Sequence, residues 1–600
     1  MPAGGYFGRA LVVDATSGTS RDLPLPDGVL RGYIGGSGLG TWLLYRLGTP
    51  GADPLGPAAP LAFVFSPLVG TPLTTSAKFA VVAKSPLTGM LTDALASSQF
   101  AIAGKLTGHD AIVIDGRAPE LSVLLVDGDG TRLISAAHLA GLPAADTDRQ
   151  LRGELGRGWR VAAIGPAGEA GIRYATISHD GRHAGRGGLG AVMGAKNLKA
   201  IAVRAAGKVA TADPAAVLTA ARDLRERSFG PATAKYRELG TLANLLAFNA
   251  ISALPTRNFQ AAAFEGAADL AEQHAGEVTG MRRVARSSCA SCTIGCEHIY
   301  RVGRGKKARV EYENVFALRP MCGVSDPGAV LAASARCDDL GLDTISAGGT
   351  IAWAMECAER GLIDAPWLRF GDPAALLRVL DEIGGRGTPL GSLLAEGSRR
   401  ASQAVGAGSA SFASHVKGLE MPGYEPRTLH SMALGLAVNA RGADHNRSGA
   451  YEADLSGDLD RLDGGDAHVA AAVETEDRAA VMDSLILCKF LRGVFTDPFA
   501  EWAGLLSAVT GWEVAAGELR ATAARIVMAK RVYNIREGWR PEDDWLPERL
   551  LNEPLTLPSG RVAALTADRL RAMIGAYYKR RGLDPEGRPD PATVDDLALA

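Results

Sequence analysis

The chain has 600 residues, 47% hydrophobic and 22% charged, with a formal net charge of -2. That length exceeds a single core and predicts several domains, and the balanced charge leaves no footprint for nucleic acid. Seven cysteines exclude a secreted disulfide framework, and no apolar run is long enough to span a bilayer.

The opening residues MPAGGYFGRALVVDATSG lack a basic stretch followed by an apolar core, so no signal peptide is expected and a reducing, cytoplasmic setting fits best. Residues 1–208 read as β-rich. The β-branched or alternating runs RALVVDA, LAFVFS, FAVVAKS, AIVIDG, SVLLVDG, RVAAIG and KAIAVRA recur between Gly, Pro, Asp and Ser clusters. Near the end of this region lies GRHAGRGGLGAVMGAKNLKAI. Gly185, Gly187, Gly188 and Gly190 allow backbone N–H groups close to an anion, and Arg186 adds charge. The order is neither that of a Walker loop nor a convincing dinucleotide fingerprint.

The texture changes near residue 210. Asp213-Pro214 reads as an N-cap followed by proline at the first helical position, and long Ala/Leu/Arg segments follow. The fold class expected is α+β. A β-rich, β-sandwich-like domain (1–208) precedes two mostly helical domains (209–415 and 416–600), with a break in the small-residue stretch 405–418.

The sharpest motif is Cys289, Cys292 and Cys296 in SSCASCTIGCEH, a C-x2-C-x3-C run. Three thiolates from one tight loop suit three corners of an iron–sulfur cube, which leaves one iron in need of a ligand. Cys488, in MDSLILCKFL, is the candidate. A zinc site that recruits His298 is the rival. Cys322, Cys337 and Cys357 lie in apolar helical context and read as core residues. Asp338-Asp339-Leu340-Gly341-Leu342-Asp343 reads as a helix stop, with Gly341 at the left-handed position. Paired carboxylates at such a turn can accept parallel N–H bonds from a planar amidine-like edge, such as that of a pterin. A related pattern runs from Asp483 to Cys488.

The chain resembles the tungsten-containing aldehyde:ferredoxin oxidoreductase family over essentially its whole length. YIGGSGLG, KSPLTG, IGPAGEAG, KGLEMPGYEPR, RGADH and YNIREGWRPEDDWLPER carry the resemblance beside the motifs above. It implies a tungsten (or molybdenum) bis-pterin on a base formed by the β domain, with a 4Fe-4S cluster close by. It places Asp338, Gly341, Leu342 and Asp343 around one pterin. It places Asp483, Leu487 and Lys489 around the other, and makes Cys488 the fourth cluster ligand. The loop Gly185–Gly188 and Lys78 would serve the same cofactor. Glu313, in VEYENVF, and His445, in RGADHNRS, match positions near the metal, where they would move the proton that accompanies two-electron oxidation.

The sequence departs from the family at three places. Lys78 stands for a usual arginine, and loses its planar fork. Leu95 stands for an asparagine that organises a magnesium ion between the pterin phosphates, so magnesium is in question. Ile486 stands for a glycine, and a β-branched residue there predicts either a locally different turn or no need for positive φ. The implied reaction is oxidation of an aldehyde substrate to a carboxylate, with electrons passed to ferredoxin or an iron–sulfur electron-transfer subunit. The alternative is a low-potential reductase of the aromatic acyl-CoA kind, inside a larger complex. A third reading is a zinc-stabilised binding protein without pterins. A homodimer stays open.

Overall fold

A computed structural model describes residues 2–267, 283–302 and 306–599. The N-terminal region is built from β1 (Arg9–Asp14), β2 (Thr19–Pro24), β3 (Leu61–Val64), β4 (Lys78–Lys84), β5 (Leu91–Ser97), β6 (Ala111–Asp115), β7 (Ser122–Asp127), β8 (Gly130–Ser135), β9 (Arg160–Ile164), β10 (Ile177–His179), β11 (Arg182–Ala184) and β12 (Leu198–Val203). They form two six-stranded sheets, ordered β2-β1-β6-β3-β4-β5 and β11-β10-β9-β12-β7-β8. β1 pairs with β6 and β7 with β12 in parallel, and the remaining ladders of these two sheets are antiparallel.

The two sheets face each other across one apolar core. Leu11, Phe63, Phe79 and Val81 from the first meet Leu124, Ile164, Ile177 and Ile201 from the second. This is the sandwich-like packing expected from the alternation of the strands. The other face of the first sheet is also covered. Ala62, Val64, Ala80 and Val82 pack against the Gly36–Leu47 helix and against Ile526, Ala529 and Val532 of the Ala516–Arg536 helix. A strand buried on both faces reads as a continuous apolar run, which is why LAFV and FAVVA were legible.

After Asp213 the chain is largely helical. Asp213 accepts from the Ala216 N–H at 2.9 Å, with Pro214 at the first helical position. The same Asp-Pro start recurs at Asp326, Asp372, Asp497 and Asp590. Each carboxylate satisfies orphan N–H groups of the first turn. The cysteine triplet lies in the link between two antiparallel strands, Arg283–Ser287 and Glu297–Val302. Among the described residues no helix is long and apolar enough to cross a membrane.

Candidate functional site

The four candidate thiols come from two distant parts of the chain, the triplet loop and Cys488, and share one locale. Cys292, Cys296 and Cys488 pack on the same apolar cluster, beside Ile294, Leu487 and Leu491. Burial and then the neighbouring Cys488 push the Cys292 thiol up to about 11 and raise Cys296 as well. Lys78 lies among them. Burial opposes its charge, but Cys488, Cys289, Cys292 and Asp483 raise its pKa overall. Thiols raised in this way, as Cys292 and Cys296 are, need a cationic centre to hold them as thiolates. Among the described residues no three His, Cys, Asp or Glu side chains converge on a position for a single ion. His298 is engaged elsewhere, with its Nε2 3.3 Å from the Arg237 carbonyl oxygen and its ring against Gly240. Those positions do not suit the zinc reading.

Both aspartate turns form. Gly341 ends the Pro327–Leu340 helix at φ 80°. Its carbonyl accepts from the Thr176 N–H at 2.8 Å, and the Asp343 N–H donates to the Tyr174 carbonyl at 3.0 Å. The turn is thereby tied to the β domain. Asp343 caps the Thr344–Glu359 helix and lies 3.3 Å from Arg186 Nε. Asp338 is 3.2 Å from His183 and its side chain is 40% exposed, so it stands at the outer edge of the turn. Leu342 is buried.

At the second turn Ile486 is left-handed, at φ 61° and ψ 40°, and ends the Asp466–Leu485 helix. This corrects the expectation that a β-branched residue would avoid that backbone. The buried Ile486 side chain presses on Gly36, where an added Cβ would come within 2.7 Å of it. Packing therefore offsets a strain of about 1–2 kcal/mol. Asp483 lies 3.1 Å from Arg447 and 3.2 Å from Lys489. Arg447 also reaches both carboxylate oxygens of Asp93 at 3.1 Å, and Lys530 reaches Asp93 at 3.3 Å. Burial opposes the Asp93 charge, yet Arg447 and Lys530 hold its carboxyl well below the usual range.

That network bears on magnesium. Asp93 is already held by two cations, and Leu95 packs among the apolar residues beside the Gly36–Leu47 helix. Neither fits a magnesium ion. In the glycine loop, an added Cβ at Gly187 or Gly188 would overlap Thr92, Arg173 or Pro86. Those glycines serve close chain packing, whereas Gly185 has open space. Arg186 donates to the carbonyls of Ala443 and Glu420.

Glu313 and His445 meet. His445 Nε2 is 3.5 Å from Glu313 Oε1, while Glu313 Oε2 accepts from the Gly423 N–H at 3.1 Å. Burial pushes the Glu313 carboxyl up to about 8, with Asp444 and Asp343 adding to the shift. Burial lowers His445 to about 3. At neutral pH the pair is a protonated acid beside a neutral imidazole. The imidazole stacks on Tyr424 at 5.0 Å, and Tyr424 stacks on Tyr451 at 4.8 Å. Asp444 caps the short His445–Ser448 helix and pairs with Arg441 at 2.7 Å.

Several atoms around these groups are buried without a hydrogen-bond partner among the described residues: Arg441 Nη2, His445 Nδ1 and Thr176 Oγ1. Unsatisfied buried groups cost about 1–3 kcal/mol each, so their clustering points to a bound polar group that satisfies them. The donor set fits a polar organic cofactor beside a thiolate-held cluster. Arg441, Arg447, Lys530 and Tyr424 escaped the sequence reading. The arginines were visible as charges flanking His445 in RGADHNR, whereas Tyr424 and Lys530 gave no local signal.

Comparisons with known proteins agree along the whole chain. A family model described as aldehyde ferredoxin oxidoreductase, N-terminal domain, matches residues 10–205. One described as aldehyde ferredoxin oxidoreductase, domains 2 and 3, matches residues 219–599. The tungsten-containing aldehyde ferredoxin oxidoreductases of Pyrococcus furiosus and Thermococcus kodakarensis are each 34% identical, with 99% of this chain and 99% of theirs covered. A WOR-like subunit of an aliphatic sulfonate oxidoreductase from Pyrococcus furiosus is 28% identical, over 99% of this chain and 97% of its own. The solved BamBC active-site complex of benzoyl coenzyme A reductase, with 1,5-dienoyl-CoA, shares the fold. Its TM-score is 0.83 at 22% identity, covering 100% of this chain and 98% of that one.

Proposed function

The chain belongs to the aldehyde ferredoxin oxidoreductase family, and from that premise we propose that it oxidises an aldehyde to the carboxylate. A tungsten (or molybdenum) bis-pterin would supply the two-electron chemistry when bound, and a 4Fe-4S cluster would relay electrons singly to ferredoxin or an iron–sulfur subunit. Net, aldehyde and water give carboxylic acid, two protons and two electrons.

The observation that carries this reading is the Glu313–His445 contact, with Arg441 Nη2 and His445 Nδ1 buried and without a hydrogen-bond partner among the described residues. Glu313 holds one proton near neutrality and, once ionised, accepts one from the reacting oxygen. His445 is the neutral imidazole beside it, 3.5 Å away, and positions the carboxyl. Tyr424 and Tyr451 wall the imidazole and exclude water. Asp343 and Asp483 are the acceptors for two pterin edges, with Gly341, Leu342 and Leu487 shaping the turns. Cys289, Cys292, Cys296 and Cys488 would hold the cluster, and Lys78 and Lys489 would stand between it and the second turn.

Elemental analysis of anaerobically purified protein, combined with an aldehyde panel and a viologen dye, tests the reading. About four irons and one tungsten or molybdenum per chain, with aldehyde-dependent dye reduction, are expected. Full iron without either heavy metal sinks it. The low-potential reductase reading shares the cofactors. Its mark would be co-purifying electron-transfer subunits and no turnover of simple aldehydes.

A further inference from the structure

We propose that Thr75 is a positioning residue that locks the Cys488 limb to the cysteine-triplet loop, so that the four thiols are preset before any metal arrives. The proposal rests on the reading that these thiols hold a four-iron cluster.

Three segments, far apart in sequence, meet at Thr75. Its N–H donates to the Ser291 carbonyl at 2.8 Å, inside the triplet loop. Its Oγ1 accepts from the Cys488 N–H at 3.3 Å. One residue therefore spans from the loop that carries Cys289, Cys292 and Cys296 to the limb that carries the fourth cysteine. Thr74 adds a second tie to the triplet loop. Its Oγ1 accepts from the Thr293 N–H at 3.1 Å and lies 3.0 Å from Thr293 Oγ1, which lies 2.7 Å from Ser228 Oγ.

The backbone bears the mark of this arrangement. Thr75 is buried and left-handed, at φ 66°, a conformation that a β-branched residue resists. Ser291, its partner, is left-handed at φ 51°. Glycine would relieve the strain but would carry no hydroxyl for the Cys488 N–H. Strained non-glycine residues persist where the surroundings over-determine them, and here the surroundings are two limbs of one ligand set. Three residues on, Lys78 lies among the thiols and Asp483. The same short segment thus ties the ligand set to the second aspartate turn.

The test uses the whole protein, purified anaerobically, with Thr75→Val, Thr75→Ser and Thr75→Gly. Valine keeps the β-branch and removes the acceptor. Serine keeps the acceptor. Glycine removes the acceptor and the strain together. Ferricyanide takes one electron from the cluster and one ferrous ion leaves, giving a three-iron product with its own EPR signal. In Thr75→Val that signal should grow about fivefold faster than in wild type, the factor one hydrogen bond of typical net strength provides. Thr75→Ser should match wild type. Thr75→Gly should be as labile as the valine variant, even if its melting temperature rises. Equal oxidation rates in wild type and Thr75→Val overturn the proposal. So does a Thr75→Gly protein with a wild-type cluster, because the hydroxyl is then dispensable. If valine at this position prevents folding, the serine and glycine pair decides alone. Wild-type protein without iron would overturn the cluster reading itself, a result distinct from either.

Discussion

Glu313 shows how burial, with two nearby carboxylates, sets a chemical role. A solvated glutamate is ionised at neutral pH and makes a weak base. Here desolvation lifts the carboxyl to about 8, and the Gly423 N–H and Arg186 only partly oppose it. The sign follows directly: below about 8 the group is protonated, and above it is a carboxylate. As base in the oxidation, it predicts a rate that rises with pH through a limb near 8. Glu313→Gln should flatten that limb and lower kcat by about 10²–10⁴. A wild-type limb that survives in the glutamine variant would assign the titration elsewhere. His445, held at about 3 by burial, stays neutral across the same range, so no lower limb is expected from it above pH 5. Neither shift could be read from VEYENVF or RGADHNRS, because burial belongs to the assembled chain.

At the scale of elements, the two aspartate turns solve one problem with different residues. Gly341 takes the left-handed cap without penalty, while Ile486 takes it at a cost and recovers part of that cost by packing on Gly36. Ile486→Ala should lose the packing and keep the strain, and so destabilise by about 2–4 kcal/mol in denaturant unfolding. Ile486→Gly loses the same packing but frees the backbone, so it should cost about 1–2 kcal/mol less than alanine. A glycine variant less stable than the alanine variant would show that the left-handed strain is unimportant. Legibility at this scale followed local chemistry. Asp-Pro starts and doubly covered strands declared themselves. β2, with the polar sequence TSRDLP and an edge position, did not, because its pairing with β1 and not its side chains makes it a strand.

Across the whole molecule, Arg447 joins the first sheet to the second turn. It bridges Asp93 on β5 and Asp483 at the end of the Asp466–Leu485 helix. Burial works against the guanidinium, but Asp483, Asp93 and Asp444 outweigh it and raise its pKa. Arg447→Met would leave two carboxylates buried with fewer counter-charges, and should destabilise by about 3–5 kcal/mol. Melting of the purified protein checks this. Arg447→Lys should recover part of the loss, since charge returns without the fork. An unchanged melting temperature in the methionine variant would mean that Lys530 and Lys489 suffice.

The sequence by itself determined the β-rich first third, the helical remainder, the cysteine spacing and the two aspartate turns, since each rests on neighbours within a few residues. Only the tertiary structure decided that Cys488 lies in the same locale as the triplet, that Thr75 hydrogen-bonds to both limbs, and that Glu313 faces His445. It also decided that Leu95 belongs to an apolar core. Those facts depend on contacts between segments tens to hundreds of residues apart, and on the desolvation that such contacts create. Spacing along a chain fixes neither.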